Sequence, residues 1–145
     1  GYVAAGDCVL PLDKAEVAAA GKDITLISYS SMTPVCLAVK EALKPVGIDL
    51  EVLDLISLQP LDKESIFASV RKTGRVIIVE EACLTGGVAA EVSALISEHC
   101  LDALEAPIIR VAAADMPIPS ALALEKFVLP QAEDIVAAVK RIQEY

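Results

Sequence analysis

The run Arg75-Val-Ile-Ile-Val-Glu80 places four consecutive β-branched apolar residues between two charges, with no alternation. A strand with one wet face alternates; a continuous apolar run marks a central strand covered by helices above and below. Ile24 to Tyr29 is likewise apolar on both faces, and Leu50 to Leu55 gives another strand. Pro107 introduces a fourth, Ile108 to Ala112. The segments between them have helical spacing. Ser30, Ser31 or Thr33 supplies an N-cap and Pro34 suits the first turn; Val35, Val39, Ala42, Leu43 and Val46 then face inward, with Lys40, Glu41 and Lys44 outward. Pro45 and Gly47 end that helix. Asp62 caps a short helix that carries Ile66, Phe67 and Val70 inward and ends at Lys72 and Gly74. After Thr85-Gly86-Gly87 comes a helix with the apolar face Val88, Val92, Leu95 and Ile96. Pro117 and Pro119 force an irregular crossing before the last helix, Gln131 to Gln143, with Glu133 and Asp134 early and Lys140 and Arg141 late, as the helix dipole prefers. Strand and helix in repeated alternation predict an α/β sheet with helices on both faces. Residues 1–22, broken by Gly6, Pro11 and Gly21, read as a strand-poor lead-in arm, and 23–145 as one domain.

Composition removes several function classes. The chain has 145 residues, 55% of them hydrophobic but only 3% aromatic, and a formal net charge of −9. No basic stripe is available for a phosphate backbone, so a nucleic-acid role is excluded, and a basic protein partner fits the acidity better. The longest uncharged stretch, Ile24 to Val39, is interrupted by three serines and Pro34, so no membrane helix is expected. Cys8, Cys36, Cys83 and Cys100 form no C-x-x-C pair, and there is one histidine, which argues against zinc or redox motifs and for a reducing compartment. The first residues, Gly-Tyr-Val, lack an initiator Met, as expected of a chain that starts within a longer protein. So much aliphatic surface in a short chain points to a face kept for a partner.

Ligands of such sheets sit beyond the carboxyl ends of the strands. The turn Ser30-Ser-Met-Thr-Pro34 has no G-x-G-x-x-G, which speaks against a dinucleotide; its hydroxyls suit either N-capping or an anion at the helix N-terminus. Glu80-Glu81-Ala-Cys-Leu-Thr-Gly86-Gly87 is the most site-like patch: one Glu as a general base and the glycines as an anion cradle, against a plain strand end and tight turn. His99 is expected to be packed or hydrogen-bonded rather than catalytic. With neither G-x-S-x-G nor G-x-x-x-x-G-K-[ST], the residues themselves offer no catalytic, cofactor or metal site.

Five stretches in register carry a resemblance: Asp54-Leu-Ile-Ser-Leu-Gln-Pro-Leu-Asp62, Lys72-Thr-Gly-Arg-Val-Ile-Ile-Val-Glu-Glu81, Thr85-Gly-Gly-Val88, Glu105-Ala-Pro-Ile-Ile-Arg-Val111 and Asp115-Met-Pro-Ile-Pro119. Together, from about Val9 onward, they resemble the C-terminal domain of the β subunit of 2-oxo acid dehydrogenases, pyruvate type, within the transketolase C-terminal domain superfamily. The resemblance implies a three-layer α/β/α sandwich around a mostly parallel, mixed sheet of about five strands. It implies a decarboxylating component that reductively acylates the lipoyl group of a dihydrolipoyl acyltransferase. Thiamine diphosphate and Mg²⁺ would then be held by the α subunit and an N-terminal pyrimidine-binding β domain, not by this chain. The implied partners are the α subunit, a second β subunit and the basic subunit-binding domain of the acyltransferase, docked by Glu105 and the terminal carboxylate of Tyr145. The implied location is cytoplasmic for a bacterial source, or the mitochondrial matrix or plastid stroma. Pro119-Ser120-Ala121 departs from the Pro-Tyr-Ala of pyruvate-type members, removing an aromatic contact. The competing readings are the C-terminal domain of a transketolase or deoxyxylulose-phosphate synthase, against which the Asp115-x-Pro-x-Pro119 motif argues, and a stand-alone anion or nucleotide module using Ser30 to Thr33.

Overall fold

In the computed structural model, Gly6 and residues 9–145 are described. Three consecutive apolar segments form the centre of one sheet: β2 (Ile24–Ser28), β3 (Leu50–Asp54) and β4 (Val76–Cys83). With β1 (Glu16–Ala19) and β5 (Ile109–Ala113) the order across the sheet is β1-β3-β2-β4-β5. The four strands β2 to β5 are parallel, and β1 runs antiparallel to β3 with a bulge between Val17 and Ala19. The mixed five-stranded sheet agrees with the expected fold class. Glu16–Ala19, however, lies in the stretch read as a strand-poor arm. Its exposed side chains give no burial pattern; backbone pairing with β3 alone makes it a strand.

Each central strand sends alternate residues to opposite faces. Leu26, Val52, Ile77 and Val79 meet α1 (Met32–Leu43) and the last helix, α5 (Ala132–Ile142), whose Ile135, Val139 and Ile142 are fully buried. Ile27, Leu53 and Ile78 meet α2 (Lys63–Thr73) and α3 (Val88–Cys100) through Ile66, Val70, Val92 and Ile96. The result is the three-layer sandwich.

The stripe on α1 is rotated from the expected one: Met32, Cys36 and Val39 are buried, whereas Ala42 and Val46 are exposed. The reason is Lys40, expected to point outward. Its ammonium lies inside, donating to the carbonyls of Ala20 (2.6 Å) and Leu50 (2.5 Å) and pairing with Asp49 at 3.1 Å. Three acceptors compensate the loss of water. Glu51 is a second buried charge, met by Lys72 and by the hydroxyl of Thr25 on the α2 side.

Asp62 caps α2 as expected: Oδ1 accepts from the Ser65 amide at 3.1 Å and Oδ2 from the Ser65 hydroxyl at 2.6 Å. Its Oδ2 also accepts the amide of Ala15, next to β1, at 3.0 Å. The α5 N-terminus is closed by a reciprocal Gln131–Asp134 capping box. No side chain caps α1: Ser31 holds the N-cap position without a capping hydrogen bond. Inside the crossing that follows Pro117 and Pro119 lies α4 (Leu122–Val128), a short helix with only Val128 buried. With Val128 alone packed inward, no amphipathic period announces it.

Candidate functional site

The order β3-β2-β4 makes β2 the strand from which the chain winds both ways, so its carboxyl end beside β4 is the place where this architecture opens a ligand crevice. Here that crevice is closed. Tyr29 follows β2 and donates its hydroxyl to Glu80 Oε2 at 3.0 Å, and the same oxygen accepts the Ala89 amide at 2.9 Å. Glu80 is fully buried, its other oxygen, Oε1, has no partner, and its carboxylate occupies the N-terminus of α3. Gly87 lies against it so closely that a Cβ there would overlap Glu80 Oε1 and the Cys83 carbonyl. The glycine is required for that approach. Burial, and then the charge of Glu80, drives the Tyr29 phenol well above the usual tyrosine range.

This geometry decides between the two readings of the patch. A phosphate at the start of α3 would meet a carboxylate already on the helix amides, so Glu80 and Gly87 do not fit the diphosphate of a bound cofactor. Of the Ser30–Thr33 turn, Thr33 is committed inward, sharing a hydrogen bond of 3.1 Å with the buried hydroxyl of Ser28, while Ser31 and Ser30, with a left-handed backbone at φ 57°, are exposed. Among the described residues, no three His, Cys, Asp or Glu side chains converge to hold a metal ion.

His99 matches its expected packed role. Its ring stacks on Phe67 with centroids 4.9 Å apart, and Nδ1 lies 3.0 Å from the Leu95 carbonyl; Arg71 reaches across to the His99 carbonyl at 3.0 Å. Cys36 and Cys100 are buried and free, and burial pushes the Cys36 thiol up to about 11; Cys83 is half-buried and free, and Cys8 lies outside the described residues.

The two residues singled out for docking lie away from the closed crevice, towards the amino ends of the parallel strands. Glu105 Oε2 pairs with the Arg75 guanidinium at 2.9 Å, its amide donates to the Gly74 carbonyl at 2.8 Å, and its stem lies over Gly74, which has φ 66°. Tyr145 is exposed. Arg75 and Gln143, two residues short of Tyr145, line one hollow of about 260 Å³ together with Asp23 and Ile24. Through Arg75, Glu105 is tied to that hollow.

The opposite end carries a feature whose position the sequence pattern did not assign. Leu84, Met116, Ile118, Leu122, Leu124 and Phe127 are all exposed, Phe127 at 84% and Leu122 at 74%. Leu84 and Phe127 line a groove of about 490 Å³ beside the open edge of β5. The signal was present in the clustering of Leu122, Leu124 and Phe127 on a segment with no buried stripe.

Residues 13–135 match the transketolase C-terminal domain family model. The whole chain is 44% identical to the pyruvate dehydrogenase E1 component subunit beta of Cyanidium caldarium, covering 44% of that protein. It is 42% identical to the 2-oxoisovalerate dehydrogenase subunit beta of Bacillus subtilis, covering all of this chain and 45% of that one. A solved split-gene transketolase, an inactive beta4 tetramer, superposes at a TM-score of 0.80 with 31% identity over 94% of this chain and 43% of its own. The chain thus spans less than half the length of these relatives. By the extent of the family-model match and the identity with these relatives, it belongs to the transketolase C-terminal domain family.

Proposed function

We propose that this chain is the assembly and partner-docking domain of the β subunit of a 2-oxo acid dehydrogenase decarboxylating component, of pyruvate type, and that it holds no active site of its own. The single observation that carries the reading is the pairing of a strand-end crevice stoppered by Tyr29 and Glu80 with an uncovered apolar face around Phe127. A domain built for chemistry keeps that crevice open; a domain built for assembly keeps apolar surface outside. The 44% identity with a pyruvate dehydrogenase E1 beta subunit, against 31% with the split-gene transketolase, favours the dehydrogenase over the transketolase reading.

In the whole enzyme, thiamine diphosphate and Mg²⁺ are then held by the α subunit and by an N-terminal domain of the β subunit. The enzyme reductively acylates the lipoyl group of a dihydrolipoyl acyltransferase. The apolar face meets the rest of its own subunit, the α subunit or a second β subunit. Glu105 and Tyr145 receive the basic subunit-binding domain of the acyltransferase, to which the net charge of −9 is complementary. Calorimetric titration of the chain with thiamine diphosphate and Mg²⁺ tests the absence of a site: no saturable heat is expected, and a micromolar Kd overturns the proposal.

A further inference from the structure

Glu105 is not a free carboxylate. Its backbone is pinned to Gly74, its stem lies on the one α2-terminal residue that has no side chain, and its Oε2 is held by Arg75 at 2.9 Å. The next residue after the pinning glycine therefore supplies the neutralising charge. Arg75 is partly buried, with Nε out of contact with water and unpartnered, so its guanidinium is placed by the fold rather than free to swing away. Asp23 lines the same hollow but is not within ion-pair distance of Arg75. One oxygen of Glu105 is thus engaged from inside, and an incoming cation meets a carboxylate already half committed, next to a like charge.

We propose that Arg75 is an internal competitor for Glu105 that sets the affinity and the salt dependence of docking by a basic protein partner. This rests on the reading of Glu105 as a docking residue. A cation approaching Oε1 gains the attraction of Glu105 but is opposed by the guanidinium on the other oxygen, and both effects fade as salt shortens the screening length below about 10 Å. Arg75 acts through Glu105, as a positioning and tuning residue that keeps the complex exchangeable.

The test is calorimetric titration of the full chain with the acyltransferase subunit-binding domain, at low and at high salt, for the wild type and R75M, R75K, E105Q and R75M/E105Q. R75M is expected to tighten binding about two- to fivefold at low salt, as for an exposed ion pair, with the gain vanishing at high salt. R75K, which keeps the charge, stays near wild type, and R75M brings no gain in the E105Q background. If E105Q weakens binding while R75M leaves it unchanged or weaker, the competitor role is overturned and the docking reading stands. If E105Q has no effect at either salt, the docking reading itself falls. Thermal melts accompany each variant; should R75M lose the fold, R75Q takes its place in the same comparison.

Discussion

Thr85 donates twice to Asp115: its amide to Oδ1 at 2.8 Å and its hydroxyl to Oδ2 at 2.6 Å. The loop that ends β4 is thereby clasped to the segment that leaves β5, thirty residues on. Leu84 and Met116, next to the clasp on either side, belong to the exposed apolar face. The bonds from Thr85 hold the Asp115 carboxyl below the ordinary carboxylate range. A depressed acid stabilises the fold above its unfolded pKa, and the contribution is lost as pH falls through the folded value. The Thr85 amide resonance is therefore expected to titrate with a midpoint below that of a free aspartate. In Asp115→Ala that titration disappears, and a midpoint at or above the free value contradicts the clasp.

Asp62 links three segments, so its removal costs more than a cap. Burial raises its carboxyl, but the bonds from Ser65 and Ala15 and the charge of Lys14 outweigh this and leave it lowered. Asp62→Ala is expected to destabilise by about 2 kcal/mol, from the cap and the Ala15 bond together. Because the folded pKa is depressed, that difference shrinks as the pH falls below the free aspartate value. Urea unfolding at neutral and acid pH measures it; a loss that is the same at both leaves the linkage unsupported.

Gly87 is fixed by Glu80 rather than by its backbone angles. Gly87→Ala is expected to cost about 3 kcal/mol, since the new Cβ meets both a buried carboxylate and a carbonyl. Combined with Glu80→Ala, the two losses should fall short of additive, because one obstacle has gone. Denaturation midpoints of the two single variants and the double variant provide the cycle, and strict additivity would place the crowding elsewhere.

Tyr29 is the sensor of the closed crevice. Its raised phenol stabilises the fold below the free tyrosine pKa of about 10, a contribution lost as the pH rises beyond it. Ultraviolet titration should show one tyrosine that ionises only together with unfolding. In Tyr29→Phe that step vanishes, with a stability loss of about 1–3 kcal/mol from the bond withdrawn from Glu80. An ordinary titration of all tyrosines would mean that the crevice is open.

The central layer was readable because three strands carry their burial in the chain itself. Val76 to Val79 has no polar residue to place outside, and the helix ends at Asp62, Gly74 and Gln131 follow local hydrogen-bond chemistry. What escaped was set by distant partners. Lys40 looks like a solvent residue until Ala20, Asp49 and Leu50 are brought round it, and Glu51 until Lys72 is. The patch Glu80 to Gly87 was legible as a strand end and turn, but whether it is a cradle or a plug depends on Tyr29, fifty-one residues earlier in the chain. The α4 helix has no inward stripe because its apolar side faces out of the domain.

The antiparallel strand β1 has a practical consequence for any attempt to cut this domain from a longer protein. Its backbone pairs with β3 from Val52 to Asp54, and Ala15 beside it is anchored to Asp62. A fragment beginning at Asp23 would leave that edge bare along Val52–Asp54, an otherwise buried strand of the kind that recruits neighbouring chains into aggregates. The domain's working limit therefore lies upstream of Ala15, and its first strand serves as a guard against sticking as well as a member of the sheet.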